Sequence, residues 1–435
     1  MSESFNIFEK NLARVLSNAP FLKRIIKISY SRIFYFLKKK DYKVKSVSDV
    51  SVIHDGEQDT FFGYYDKAPD NGNGLVLVYS SIHSTKNAPN NIESITLDVY
   101  DIKKKDYILP IKIDIKSFNW QQGSRAHWLT ADKFVYNNYD SNSKKYRAYV
   151  YSVELSKIVS ILDKPVQDSF CDNYMLSICY ETLAILRPDY GYFSEKNISL
   201  PLYSDVGIWK CDYISSKCEL LFSVEDVIHF CFDNVNENHM KFKHKLNHVM
   251  ISPNGKFFIF MHRYYNKSGK RFDRLILANV DGELLRVLCD DGMVSHCFWY
   301  DDDTILGYLR GPNGVDAYWL INIKNSEHSV FNNGVFDGIG DGHPSINGLS
   351  IITDTYPDKA RMQSLYLTKK GLSKYIKLGE FFHGFDFGGE TRCDLHPRFS
   401  KDGSLVFFDS IYSGRRNLCY LDIKSCEEDL FFYEK

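Results

Sequence analysis

From about residue 48 the chain alternates short apolar runs with polar breaks rich in Gly, Asn and Asp, a period-two pattern that predicts β-strands. One unit recurs, a turn followed by a strand of large apolar residues. Ser252-Pro253-Asn254-Gly255 leads into Phe257–Phe260, Pro344-Ser345-Ile346-Asn347-Gly348 into Ser350–Thr353, and Ser400-Lys401-Asp402-Gly403 into Leu405–Phe408. Looser copies precede Leu75–Val78, Phe134–Tyr136 and Ile305–Tyr308, and a weak seventh, Asp172-Asn173-Tyr174, precedes Met175–Ile178. Asn-Gly and Asp-Gly pairs supply the positive φ values that tight hairpins need. Strands repeated without intervening helices argue against a parallel α/β sheet, and the spacing suits four-stranded blades with insertions. The expectation is an all-β fold, a seven-bladed β-propeller with WD40/TolB-like blades over residues 49–435; six or eight blades fit the same irregular spacing.

Residues 1–48 read differently. Between Asn11 and Lys45 lie ten Lys and Arg against Asp41 as the one acid, with Ile25, Ile26, Ile28, Ile33, Phe34, Phe36 and Leu37 among them. This mixture predicts a basic amphipathic helix, either packed on the propeller with a solvated basic face or seated at a membrane surface through residues 11–45.

Composition narrows the function classes. A formal net charge of −1 gives no global field, so nucleic acid is not an expected partner. Aromatics make up 15% of the chain, which suits half-buried strands and sugar stacking alike. The ten cysteines form no CxxC pair, and reduced thiols are the simpler expectation. The opening Met1-Ser2-Glu3-Ser4 lacks the features of a secretory signal, so a cytoplasmic location, with or without peripheral membrane contact, is expected. No G-x-G-x-x-G, Walker loop or G-x-S-x-G elbow points to another class.

Propellers gather ligands at one mouth of the central channel, so polar residues beside the repeated strands are the candidates. Cys393 and His396 offer ligands for a divalent metal, zinc or manganese, and His296 and His343, which begin the two preceding blades, can complete the set. His248 lies one hairpin strand away from His262-Arg263. Polar residues between tryptophans in Trp120-Gln121-Gln122-Gly123-Ser124-Arg125-Ala126-His127-Trp128 are costly to bury idle. Arg187-Pro188-Asp189-Tyr190 supplies a guanidinium and a phenol, and Tyr65 adds aromatic surface. For each of these the bland alternative is a buried side chain satisfied by backbone or by a structural ion pair.

Taken together, the phrases FFGYYDK, FNWQQG, RPDYGY, NHVMISPNGKFFIFMHR, SHCFWYDDDTILGY and RCDLHPRFSKDG resemble the seven-bladed propeller polysaccharide lyases. Oligogalacturonate lyase and the ulvan lyases are the nearest named groups, with related proteins of bacterial surface-polysaccharide loci. The resemblance runs from about residue 50 to the C-terminus. It implies β-elimination at a uronic acid, with an acidic oligo- or polysaccharide as partner. His127, His248 and Tyr190 then become candidate proton-transfer groups, and Arg187 and Arg263 candidates to neutralise the substrate carboxylate. Tyr65, Trp120, Gln122, His262, Arg392 and Arg398 are the candidate substrate-binding residues, and His296, His343, Cys393 and His396 the candidate metal ligands. Where the oligogalacturonate lyase motif reads Gln-x-x-His-x-His, this chain has Cys393, His396 and Arg398. Two alternatives stand beside the lyase: a glycosyltransferase of capsule or O-antigen biosynthesis at the cytoplasmic membrane face, and a non-catalytic propeller that binds glycan or protein.

Overall fold

The computed structural model describes residues 20–39, 42–193 and 199–426. Among them, seven antiparallel sheets follow one another around a ring, six of four strands and one of five. The chain is a seven-bladed β-propeller. Blades one to five run in order from Asp59–Phe61 to His328–Val330. Blade six starts at Ser345–Asn347, and blade seven spans Arg398–Phe399, Leu405–Ser410 and Asn417–Asp422. The N-terminal part of the chain closes the ring. Ser51–Ile53 is the outermost strand of blade seven, and Lys45–Ser46 adds a fifth strand to blade six by pairing with Gly379 and Glu380.

Every turn unit seen in the sequence joins the first strand of a blade to its second. The reason is local chemistry, repeated. In blade four, Ser252 N donates to Phe257 O at 2.8 Å and Phe257 N to Ser252 Oγ at 3.0 Å. In blade seven, Ser400 N donates to Leu405 O and Leu405 N to Ser400 Oγ, both at 2.9 Å. Neighbouring blades cover both faces of the middle strands. Met362–Lys369 is therefore buried at all eight positions, and such strands read as apolar runs more than as strict alternation.

Because strand direction alternates within a blade, these hairpins all lie at one end of the ring. The loops between second and third strands, and the links from one blade to the next, lie at the other.

One expectation is corrected. Cys211 and Cys218 face each other across two strands of blade three and form a disulfide, so the thiols are not all free. The helix α1 spans Pro20–Lys38, and its C-terminal half rests on blade six and the link that follows, with the Tyr35 ring 5.3 Å from Phe385 and 6.2 Å from Phe382. No described helix is long and apolar enough to cross a membrane.

Candidate functional site

The run Phe62–Lys67 leaves the first strand of blade one and passes through the central channel, where it touches five other blades. Phe62 and Gly63 donate their backbone N–H groups to Asp409 in blade seven. The Tyr64 hydroxyl meets His248 Nδ1 of blade four at 2.8 Å, and the Tyr65 hydroxyl donates to Cys297 O of blade five at 2.9 Å. Asp66 forms a bidentate pair with Arg125 at 2.9 and 2.7 Å, and Lys67 pairs with Asp168 of blade three. Gly63 makes the path passable. At its φ of 111°, a Cβ would stand 2.9 Å from the Gln122 carbonyl carbon. Tyr64 and Tyr65 thereby become a floor beneath the channel mouth, buried to 4% and 2% exposure.

On this floor stand four histidines. The His396 ring lies 5.0 Å from Tyr64 and 4.3 Å from His343, and His343 lies 4.0 Å from His296. His248 stacks on Tyr64 at 5.3 Å and meets Tyr190 edge-on at 5.1 Å. Two of the four are aimed by strained backbone. His248 (φ 54°) sits in a bulge that breaks the strand register between Asn247 and Met250, and His396 (φ 45°) ends the link into blade seven. Non-glycine residues at positive φ cluster where a side chain must be redirected. His248 is half-buried, whereas His343 and His396 are fully buried.

His343, Asp394 and His396 form a set that can hold a metal ion, with one donor atom from each lying within 4.8 Å of the others. The test of fit is hydrogen bonding. The Nε2 atoms of His343 and His396 are both buried without a partner, a costly condition that a cation would relieve. Asp354 binds His343 Nδ1 at 2.8 Å, so in the neutral ring Nε2 carries the lone pair that a cation can take. The same carboxylate accepts from the backbone N–H groups of His343 and His396, so it positions both ligands. These residues fit a divalent cation. Burial, then His343 and Arg398, push His396 well below its ordinary value, the neutral form a ligand needs. Burial opposes the charge on Asp394, but Arg392 and His343 outweigh it and keep the carboxyl below its usual range. His396→Ala is expected to lower divalent-metal affinity at least about 100-fold, read by isothermal titration or metal content after dialysis. Unchanged metal content would remove the assignment.

A chain of opposite charges rims this set. Arg392 donates to Asp394 at 2.6 Å, to Asp189 at 2.7 Å and to the Tyr190 hydroxyl at 3.1 Å, and Arg187 pairs with Asp189 at 2.8 Å. Arg187 follows the short helix α2 (Tyr180–Leu186), so a blade-three insertion reaches across the mouth to the blade-seven link. The structure thus brings together Tyr65, Arg187, Tyr190, His248, His296, His343, Arg392 and His396.

Other sequence candidates are corrected. Cys393 points away from the metal set into a pocket with Phe387 and Ile411, and burial pushes its thiol up to about 12, so Asp394 takes the ligand position expected of it. His262 lies on the opposite face of its strand and bonds His244 at 2.9 Å. Both nitrogens of His127 are engaged, by Arg125 O and Ser169 Oγ at 2.8 Å each. Trp120 is packed against Phe61 and Phe118 with its N–H given to Asn87 O, which leaves no ring face for a sugar. Gln122 lies buried under Gly63. Arg263 pairs with Asp273 at 3.1 Å and donates to Val294 O, and Arg398 pairs with Asp409 at 3.0 Å. Each of these is spent on structure.

Sequence reasoning missed Tyr64, Asp354, Asp394 and Tyr356, whose ring stands 5.7 Å from His343. The Tyr64-Tyr65 doublet after Gly63 was visible, but it reads as core without the path through the channel.

The fold has solved counterparts. Oligogalacturonate lyase from Vibrio parahaemolyticus is similar at 12% identity and a TM-score of 0.57, over 89% of this chain and 98% of that one. An oligogalacturonate lyase in complex with manganese is similar at 10% identity and a TM-score of 0.38, over 88% and 96%. The β-propeller domain of the trilobed protease of Pyrococcus furiosus aligns at 11% identity and a TM-score of 0.45, over 86% and 98%. The first of these establishes a shared propeller fold. No family model matches the chain, and no curated protein matches its sequence.

Proposed function

We propose that the protein is a lyase that cleaves an acidic oligosaccharide by β-elimination at a uronic acid. One observation carries the reading: a half-buried histidine, His248, hydrogen-bonded to a buried tyrosine, adjoins a built cation site with two orphaned imidazole nitrogens. Elimination needs three things at once. The uronate carboxylate must be neutralised, the proton on the adjacent carbon removed, and the glycosidic oxygen protonated as it leaves.

A zinc or manganese ion held by His343, Asp394 and His396 would supply the first, by polarising the carboxylate. Arg392, one-fifth exposed at the rim, orients the substrate's acidic edge. His248 is the base. Burial, and then Arg263, push its pKa well below the ordinary value, so it stands neutral at pH 7. With Nδ1–H donating to the Tyr64 oxygen, Nε2 carries the lone pair that takes the C5 proton. The C5–H electrons form the C4–C5 double bond and the C4–O bond breaks. The Tyr190 hydroxyl, which accepts from Arg392, is placed to give its proton to the departing oxygen.

The test is incubation of metal-loaded protein with oligogalacturonate and other uronate oligosaccharides. Ultraviolet absorbance of an unsaturated uronide is the expected result, and it should vanish on chelation and return with added zinc or manganese. Absence of that product across uronate substrates would defeat the proposal.

A further inference from the structure

The helix α1 and the site mouth share one end of the propeller. The link is the blade-six loop between Ser350–Asp354 and Met362–Lys369. Its first half carries Tyr356, 5.7 Å from His343 at the mouth. Its second half holds the helix and the chain that follows it: Lys359 Nζ lies 5.1 Å over the Phe34 ring, and Ala360 O accepts from the hydroxyl of Tyr42, four residues past the helix end. Phe385, in the link that goes on to Arg392 and His396, completes the seat beneath Tyr35 and Arg32.

Tyr35 and Phe34 face the propeller; another face of the same helix does not. Ile33, Phe36 and Leu37 lie at i, i+3 and i+4 and are 58%, 70% and 69% exposed. Single exposed apolar residues are common, but three on one helical face form a patch that water covers at a cost. Lys39 Nζ stands 5.0 Å over the Phe36 ring, and Arg32 and Lys38 are exposed nearby along the chain, within a segment of ten basic residues and one acid from Asn11 to Lys45. At the same end, Ile82 and Leu202 project from loops of blades one and three at 77% and 71% exposure, and Lys267 and Lys270 from blade four.

We infer that this end of the molecule docks on an anionic lipid bilayer, with Ile33, Phe36 and Leu37 in the headgroup–acyl boundary and the active-site mouth turned to the lipid surface. Bulky apolar residues framed by Lys and Arg are the pattern that inserts into such an interface, where charge attraction and apolar burial act together. No described helix is long and apolar enough to cross the bilayer, and the contact inferred is one at its surface. Joined to the lyase reading, on which this clause alone rests, the substrate is an acidic glycan carried at a membrane surface.

The experiment uses the full chain and needs no sugar, so its outcome is separate from that of the activity assay. Sedimentation is measured with vesicles of phosphatidylcholine alone and with about one-third phosphatidylglycerol. The expected result is binding to anionic vesicles at least about tenfold tighter than to neutral ones, weakened by added salt. The combined Ile33→Ser, Phe36→Ser and Leu37→Ser variant should bind at least about tenfold more weakly. Hydrogen exchange with vesicles present should slow in residues 33–39, not in the hairpins around Asn254, Asn347 and Asp402. Protein left in the supernatant with both vesicles, equal binding by the variant, or protection at the hairpin end would each overturn the inference.

Discussion

Alanine in place of His248 is expected to lower kcat on a uronate oligosaccharide by about 10²–10⁴-fold, with a small change in KM. The prediction follows from position. Among the four histidines at the mouth, His343 is pinned by Asp354 and His396 is sealed from solvent, and His296 Nδ1 is occupied by Ser295 and Asp341 at 3.2 Å. His248 alone combines partial exposure with an otherwise unengaged ring edge, because its one hydroxyl partner, Tyr64, sits on the floor behind it. The pH profile gives a second readout. His248 titrates well below the ordinary imidazole range because burial and Arg263 disfavour its cation. The base is therefore active above that lowered pKa and is lost only as pH falls through it. The acidic limb of kcat/KM should therefore lie clearly below the range in which an unperturbed histidine takes up its proton. An unchanged rate in His248→Ala would take the base role from this residue.

The ring was legible from the sequence because its hairpins are built from local chemistry. A serine whose hydroxyl caps the following strand, with Asn-Gly or Asp-Gly next to it, needs no distant partner, so the repeat survives in Ser252, Ser400 and their equivalents. The site was only partly legible. His248, His343, His396, Tyr190 and Arg392 were named because imidazole, phenol and guanidinium are chemically conspicuous. Which of the conspicuous groups converge depends on non-local facts. His262 and His248 lie on one hairpin, yet the bulge at His248 turns its ring to the channel while His262 faces the blade interior and His244. Cys393 and Asp394 are adjacent in an extended link, so their side chains diverge and only one can reach the cation site. Trp120 and Arg398 illustrate the same limit: their chemistry suits a ligand, but tertiary packing commits both to the core.

Removal of the Asp409 carboxylate should be the most damaging single change to stability, since it undoes the contact that fixes the channel segment to the last blade. Asp409 Oδ1 accepts from Phe62 N and Arg398 Nη2, both at 3.0 Å, and Oδ2 accepts from Gly63 N at 2.8 Å. The Arg398 and Asp409 side chains are 1% and 2% exposed, so solvent cannot replace the lost partner. Asp409→Ala would leave a buried guanidinium without its counter-charge and two backbone N–H groups unpaired. A loss of about 3–5 kcal/mol is expected, measured by urea denaturation. Asp409→Asn keeps an acceptor and should lose less. Arg398→Met in the Asp409→Ala background should recover part of the loss, because the orphaned charge then disappears with its partner. The damage should also reach the site. Arg398 donates to His396 O at 2.7 Å and to Gly63 O at 2.8 Å, so the same guanidinium steadies a metal ligand and the backbone that carries Tyr64. Divalent-metal affinity of Asp409→Ala should therefore fall even at temperatures where the variant stays folded, and wild-type affinity there would show that the cation site is held by Asp354 alone.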